Sequence, residues 1–292
     1  MVPARVLSRD TWEARVQRHA EELGPIVEAH RSRRSLGTKH PVIDFLFEYY
    51  RFRPSSLLQW SPGVGVRLED GASHFSGMKH VQGEGPDVWL SSDGLTSRLR
   101  ESTGWILNLL EQTQDRPAMF GCSGLHEWAM VYRQTAWRHQ QYSLRLPPEK
   151  IAAVVDEGPL VCTHYDAFRF FTAEARPLNR NQLTIESMPN LEQPGCLHTN
   201  MDLYRWASKR YPWIGSDLIR EAFLLAMDIR AVDMRASPYD LSDLGYEPIA
   251  IETEAGRAAY RKLQEEFSQR ARPLRQKLIE AFRQLLAGPA YV

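Results

Sequence analysis

The spacing of the three cysteines is the feature of the chain that most clearly suggests chemistry. Each cysteine is followed within four residues by a histidine, and each histidine within four residues by a carboxylate. The three segments contain Cys122, His126 and Glu127; Cys162, His164 and Asp166; and Cys196, His198 and Asp202. Because only nine histidines occur in 292 residues, three such pairings would be unusual by chance. We therefore predict that the three segments meet in one site.

Three histidines supplied by separate elements are what an open metal site requires, with one coordination position left for water or substrate. Imidazole suits Fe, Zn and Mn; an added carboxylate favours Fe or Mn, whereas a thiolate ligand favours Zn. The sequence thus predicts a divalent metal (Fe, Zn or Mn). The predicted ligands are His126, His164 and His198, with Asp166 or Asp202 as a further ligand or as a partner that orients an imidazole.

A general base would complete a metal site that activates water, and two carboxylates are candidates. Glu127 directly follows one of the predicted ligands. Asp44 lies between His40 and Glu48 at four-residue spacing, so the three side chains share one face of a helix. A solvated helix face would show the same pattern, and this alternative stays open for Asp44.

Aromatic and basic residues near these segments are candidates for substrate binding: Arg169, Arg235, Trp128 and Tyr165. Aromatic rings would stack on a nucleobase, and arginine would bind an anionic group, which favours a nucleobase-containing or other polar small molecule. The two arginines could instead form local ion pairs. A Cys122 thiolate activated by a histidine is a further alternative for the chemistry. The chain has neither a phosphate-binding loop nor a dinucleotide-binding glycine motif, so no nucleotide cofactor is expected.

The overall composition excludes some classes of protein. The 36 Lys and Arg residues balance 36 Asp and Glu residues, so no global charge attracts a polyanion such as DNA. No apolar stretch approaches the roughly 20 residues that span a bilayer, and the first ten residues lack the apolar segment of a secretion signal. We expect a cytoplasmic protein without a membrane partner, whose cysteines are thiols.

The apolar periodicity predicts a mainly α fold, with a single helical domain over 1–292 and a few short β-strands. A helical N-terminal subdomain over 1–53 is the alternative organisation. Helices are expected over 11–34, 40–52, 95–114, 125–133, 148–155, 197–211, 216–234 and 253–286, and strands over 64–68, 142–146 and 159–164. Pro25 and Pro273 are expected to kink or divide the first and the last helix.

Five longer motifs resemble a group of bacterial proteins, frequent in actinobacteria, that are named 3-methyladenine DNA glycosylases. They are KHPVIDFLF (39–47), FGCSGLHEWAMVYR (120–133), HYDAFRFF (164–171), EQPGCLHTNMDLYRWA (192–207) and DMRASPYDL (233–241). The resemblance runs through nearly the whole chain and assigns no catalytic residues. It implies hydrolysis of the N-glycosidic bond of an alkylated purine, with DNA as the partner and DNA repair as the role.

Three hypotheses on function follow. The first is a metal-dependent enzyme, a hydrolase or an oxidoreductase, with the residues in the roles given above. The second is the DNA glycosylase that the resemblance implies, in which an acidic residue activates water. The third is a non-catalytic helical module whose histidines only stabilise the core. Histidines that lie far apart would favour the third.

Overall fold

A computed structural model of the chain describes residue 3, residues 5–137 and residues 140–288. The protein is mainly α, as predicted, and the described residues form twelve α-helices, two short 3-10 helices and one four-stranded sheet. The chain forms two compact units. The first contains 1–110, 203–224 and 274–292, and the second contains 111–202 and 225–273.

The N-terminal part of the chain supplies all four strands and five helices. In chain order they are β1 (Arg5–Leu7), α1 (Arg9–Ser35), α2 (Ile43–Tyr50), α3 (Pro54–Leu58), β2 (Val66–Leu68), α4 (Ala72–Phe75), β3 (Val81–Glu84), β4 (Asp87–Leu90) and α5 (Ser97–Asp115). The order of the strands in the sheet is β1-β2-β4-β3. Strand β1 is parallel to β2, and the other two pairings are antiparallel.

One face of this sheet contributes to a hydrophobic cluster in the first unit. The side chains that share this cluster are Leu7, Trp12, Trp60, Val66, Leu68, Phe75 and Val88. Trp12 on α1 is 2% exposed, and its indole Nε1 donates a hydrogen bond to the backbone oxygen of Glu69 at 2.9 Å. Because apolar burial is the dominant stabilising contribution, this indole is a main anchor of α1 on the sheet.

The rest of the chain is helical with long loops. Its helices are α6 (Leu125–Ala129), α7 (Pro148–Glu157), α8 (Tyr165–Phe168), α9 (Met188–Leu191), α10 (Leu197–Ser208), α11 (Ser216–Arg235) and α12 (Glu254–Ala287). The 3-10 helices are Arg176–Leu178 and Ser242–Leu244. Neither Pro25 in α1 nor Pro273 in α12 divides its helix. None of the helices in the described part of the chain combines the length and the apolar character that a bilayer crossing requires.

The strands predicted over 142–146 and 159–164 are wrong. Over 142–146 one isolated bridge forms, between Leu144 and Tyr239. Over 159–164 side-chain amides take the place of a partner strand: Asn179 accepts from the backbone N–H of Cys162 at 2.7 Å and donates to its backbone oxygen at 3.1 Å. This extended apolar segment is therefore a buried loop and not a strand, because asparagine side chains make hydrogen bonds with its backbone groups.

The single domain over 1–292 and the alternative subdomain over 1–53 stay predictions. The chain passes between the two compact units four times. Each compact unit is built from several chain segments. Compactness of this kind does not show that a unit folds independently as a domain.

We predict that Trp12→Ala lowers the free energy of unfolding by about 3–5 kcal/mol, because it empties a large site in a close-packed core. Urea denaturation followed by circular dichroism measures the change. Trp105→Ala is the matched control: this indole is 37% exposed, and its removal should cost less than about 1 kcal/mol. Equal losses in the two variants would contradict the role given to Trp12.

Candidate functional site

Helix α6 positions two of the predicted site residues, His126 and Glu127, and all five of its residues are buried. Gly124 precedes the helix with a φ of 76°, a conformation that side chains other than glycine rarely adopt. A Cβ atom at this position would lie 3.3 Å from the ring of Tyr260 and from the Cβ atom of Ala236. Glycine therefore allows α6 to begin in close contact with its neighbours in the second unit.

A buried arginine joins the carboxylates of the site. Arg230 and Asp233 lie three residues apart on α11, so their side chains share one face of the helix. The Nη1 atom of Arg230 donates to Glu127 Oε1 at 2.6 Å and to Asp233 Oδ2 at 2.8 Å. All three residues are at least 95% buried. A buried carboxylate is stable only with such a partner, so Arg230 determines where both carboxylates lie.

His126 lies between a carboxylate and a thiol. Its Nε2 donates to Asp233 Oδ1 at 2.8 Å, and its Nδ1 lies 3.3 Å from the sulfur of Cys122. Burial alone would lower the pKa of His126, but Asp233 and Cys122 outweigh it and hold that pKa well above its usual range. Burial would likewise raise the pKa of Asp233, but His126, His198 and Arg230 lower it. Asp233 is therefore a carboxylate at neutral pH.

His198, from α10, completes a group of possible metal ligands. Its ring centroid lies 4.5 Å from that of His126, and its Nε2 lies 4.0 Å from Asp233 Oδ2. Burial and the charge of His126 lower the pKa of His198 well below its usual range, so its imidazole is neutral. One ligand atom each from His126, Glu127, His198 and Asp233 lie within 4.8 Å of one another. This buried group, the 2-His–2-carboxylate cluster below, could hold a metal ion.

The third predicted histidine ligand, His164, lies next to this cluster but has other partners. Its ring stacks on that of His198, with centroids 5.2 Å apart. Its Nδ1 accepts from the backbone N–H of Ala167 at 3.2 Å, and its Nε2 donates to Asp202 Oδ2 at 3.3 Å. Glu192 Oε1 lies 3.7 Å from the same nitrogen. The structure thus brings the three histidines together but gives both ring nitrogens of His164 hydrogen-bond partners.

A cavity of about 380 Å³ opens onto this region of the second unit. Both histidines of the 2-His–2-carboxylate cluster line it, together with all three cysteines. Cys162 and Cys196 are buried, and burial raises the pKa of Cys196 to about 12, so its thiol is neutral. Cys122 is only partly buried. The volume is at the lower end of the range of about 300–1,000 Å³ that small-molecule pockets occupy.

The remaining residues predicted from sequence do not line this cavity. Asp166 forms an ion pair with Arg169 at 2.9 Å. Trp128 is fully buried, and its Nε1 donates to the backbone oxygen of Ala236 at 2.9 Å. Arg235 donates to the backbone oxygen of Glu247. Tyr165 is half-buried at the start of α8. Their roles as ligand or substrate contacts stay predictions.

Asp44, the second predicted general base, lies on α2 in the first unit and is held by three neighbours. It accepts hydrogen bonds from Arg33 Nη2 at 2.6 Å, from His30 Nδ1 at 2.8 Å and from the backbone N–H of His40 at 2.8 Å. Burial would raise the pKa of Asp44, but these partners together lower it. The contacts explain its position without a catalytic role, which stays a prediction.

The sequence patterns did not assign Arg230 or Asp233 to this site, nor Tyr260 and Gln264, which line the cavity. The three-residue spacing of the first pair was visible, but many surface ion pairs share it. Tyr260 and Gln264 are four residues apart on α12, the spacing of any helix face.

Comparisons with protein-family models, with curated proteins and with solved structures found no match. Membership of the glycosylase group that the sequence motifs resemble therefore stays a prediction.

We predict that Asp44→Asn lowers the free energy of unfolding by about 3 kcal/mol at pH 7, because it leaves Arg33 and His30 without their buried anion. The folded-state pKa of Asp44 is below its ordinary value of 3.8, so its contribution is present above that pH and is lost as the pH falls through the folded value. The difference between variant and wild type should therefore shrink below that value.

Glu48→Gln is the control for this experiment. Its ion pair with Lys39 is largely exposed and should contribute less than about 0.5 kcal/mol. Urea denaturation at several pH values measures both variants. The role given to Asp44 would be contradicted if Asp44→Asn lowered the free energy of unfolding as little as the control does. It would also be contradicted if that loss of stability grew as the pH falls.

Proposed function

We propose that the protein is a metal-dependent enzyme whose divalent ion is held by His126, His198 and Asp233. The observation that carries the proposal is the convergence of two imidazoles and two carboxylates in one buried cluster beside a cavity. The four residues come from three different helices, so local sequence proximity does not explain their convergence. Catalytic metal sites combine three protein ligands with an open position facing a cavity in this way.

The distances in the cluster suit an ion of this kind. Two ligand atoms that each lie about 2.1 Å from a metal are at most about 4.2 Å apart. The 2.8 Å from His126 to Asp233 and the 4.0 Å from His198 to Asp233 fall within that limit. The wider spacings in the cluster stay within 4.8 Å, which a small side-chain rotation would close. Arg230 supports the site from outside by fixing the orientation of Asp233, as partners of metal ligands do.

The donor set favours iron or manganese over zinc. The cluster contains imidazole nitrogens and carboxylate oxygens and no thiolate. Two histidines and one carboxylate on one side of an ion, with further positions open, are typical of non-haem Fe(II). Zinc remains compatible with the same ligands, and metal analysis decides between them.

In this proposal the ion supplies Lewis acidity, which polarises a substrate oxygen or makes a water molecule more acidic. His126 and His198 line the cavity, so an ion held by them would be open to a substrate in that cavity. Glu127 is held by Arg230 through Oε1 and would take a proton from water through its other oxygen. The two carboxylates have different roles because only Asp233 bonds to His126.

The test is elemental analysis of protein purified without a nickel column. We expect about one Fe, Mn or Zn per chain in wild type, and a loss of at least tenfold in His198→Ala, because removing one of three ligands abolishes an open site. Asp166→Asn is the control, since this carboxylate is paired with Arg169, and it should retain the metal.

Wild-type protein that contains no metal, even after incubation with Fe(II), Mn(II) and Zn(II), would overturn the proposal. Loss of metal from Asp166→Asn with retention in His198→Ala would assign the ion to other ligands and would also overturn it. Thermal unfolding of each variant shows whether a loss of metal reflects a loss of fold.

A second candidate function, thiol catalysis by Cys122, is favoured by one specific observation. Cys122, His126 and Asp233 form a hydrogen-bonded series in the order that a nucleophile, its base and the group orienting the base require. The Nε2–H of His126 faces the carboxylate and Nδ1 faces the sulfur of Cys122, where a positively charged His126 would favour a thiolate. Cys122 lines the cavity, so its sulfur would be accessible to an electrophilic substrate there.

We predict for this candidate that iodoacetamide alkylates Cys122 faster than Cys162 and Cys196, and that His126→Gln slows that alkylation at least tenfold. The physical reason is that the thiolate is the nucleophile and that His126 would stabilise it. Mass spectrometry of tryptic peptides over time measures each site, with the two buried cysteines as internal controls. An alkylation rate of Cys122 that is unchanged in His126→Gln would refute thiol activation.

A further inference from the structure

Two buried residues of the cavity lining each carry a polar atom without a hydrogen-bond partner. Tyr260 is fully buried and Gln264 is 1% exposed, and both residues line the cavity beside the 2-His–2-carboxylate cluster. Tyr260 Oη and Gln264 Oε1 have no hydrogen-bond partner among the described residues. An unpaired buried polar group is destabilising, so two in one cavity lining indicate that a ligand pairs with them.

The structure fixes the hydrogen-bonding role of the Gln264 amide and the position of the Tyr260 ring. The amide Nε2 of Gln264 donates to the backbone oxygen of Gly195 at 3.3 Å, which leaves Oε1 as the acceptor. Gly195 itself lies so close to Met119 that a Cβ atom would be 2.4 Å from the Met119 backbone oxygen. The Tyr260 ring packs against Gly124. Because the two residues are one helical turn apart on α12, their polar atoms lie on the same face of that helix.

A positively charged side chain, that of Arg180, also lines this cavity. Arg180 is exposed, and its guanidinium makes no ion pair with a described residue. Its backbone N–H bonds to the oxygen of Leu160, which holds the residue in place while the side chain stays available. Arginine in this position suits a carboxylate or phosphate.

We propose that the cavity binds a small molecule that carries an amide or lactam edge and a negatively charged group. Gln264 Oε1 can only accept, so it requires an N–H of the ligand, and Tyr260 Oη donates to the neighbouring carbonyl oxygen. Arg180 binds the negative group. If this molecule is the substrate of the metal site, the inference rests on the proposed function. The statement that the cavity binds such a molecule rests on Tyr260, Gln264 and Arg180 alone.

The test measures the affinity of the whole protein for four probes by isothermal titration calorimetry. Orotate joins a lactam to a carboxylate in a ring, and N-acetylglycine joins an amide to a carboxylate in an open chain. Uracil has the lactam without the acid, and benzoate has the acid without the lactam. We expect orotate or N-acetylglycine to bind at least tenfold more tightly than uracil and benzoate. A preference for orotate assigns a cyclic ligand, and a preference for N-acetylglycine assigns a peptide-like ligand.

Three variants locate the binding. Tyr260→Phe and Gln264→Met should each weaken the better probe roughly tenfold, the effect of losing one hydrogen bond to a buried partner. Arg180→Ala should weaken the acidic probes and leave uracil unchanged. Lys262→Ala, an exposed change on α12, should bind all four probes as wild type does. Tyr260→Phe keeps the ring and Arg180 is exposed, so these two variants stay informative if Gln264→Met fails to fold.

Binding by none of the four probes would overturn the inference, as would wild-type affinity for the better probe in both Tyr260→Phe and Arg180→Ala. The titrations are repeated on protein dialysed against EDTA. Probe binding that depends on Tyr260 in a protein that never contains metal would leave this inference standing while the metal proposal fails. A protein that holds metal but binds no probe would give the opposite result.

Discussion

The ion pairing of Arg230 with Glu127 and Asp233 is the constraint on which the candidate site depends. Two buried carboxylates next to each other would repel, and neither would stay ionised without a buried cation. One guanidinium nitrogen contacts both, at 2.6 and 2.8 Å, so α6 and α11 are held in the register that places His126 against Asp233. His126 then contacts the ring of His198, and His198 stacks on His164. The convergence of the three histidines therefore rests on a residue that is neither a histidine nor a cavity-lining group.

The long helices could be predicted from the sequence, because their apolar residues repeat with the helical period. Helix α11 was expected over 216–234 and spans Ser216–Arg235, and α12 was expected over 253–286 and spans Glu254–Ala287. The loops could not be predicted in the same way. The 159–164 segment has the composition of a strand, but the amide of Asn179, 17 residues after Cys162, satisfies its backbone. Local propensity does not contain such a contact, because the partner is chosen by the tertiary fold.

Part of the candidate site could be predicted from the sequence. The pairing of each cysteine with a histidine predicts that the three segments meet, and in the structure all three cysteines line one cavity with His126 and His198. Spacing could not show which histidines have other partners: the His164 side chain caps the N-terminus of α8 by accepting from Ala167, whereas His198 lies near Asp233. It also could not identify Asp233 as the carboxylate of the cluster, because ion pairs at three-residue spacing occur on many exposed helices.

The central claim is that His126, His198 and Asp233 hold one divalent ion. The most direct measurement is anomalous diffraction from crystals of the protein soaked in Mn(II), with data collected on both sides of the manganese absorption edge. We expect one strong anomalous peak about 2.0–2.3 Å from a nitrogen of each histidine and from an oxygen of Asp233. A peak between His164, Asp202 and Glu192 instead, or no peak in the second unit, would contradict it.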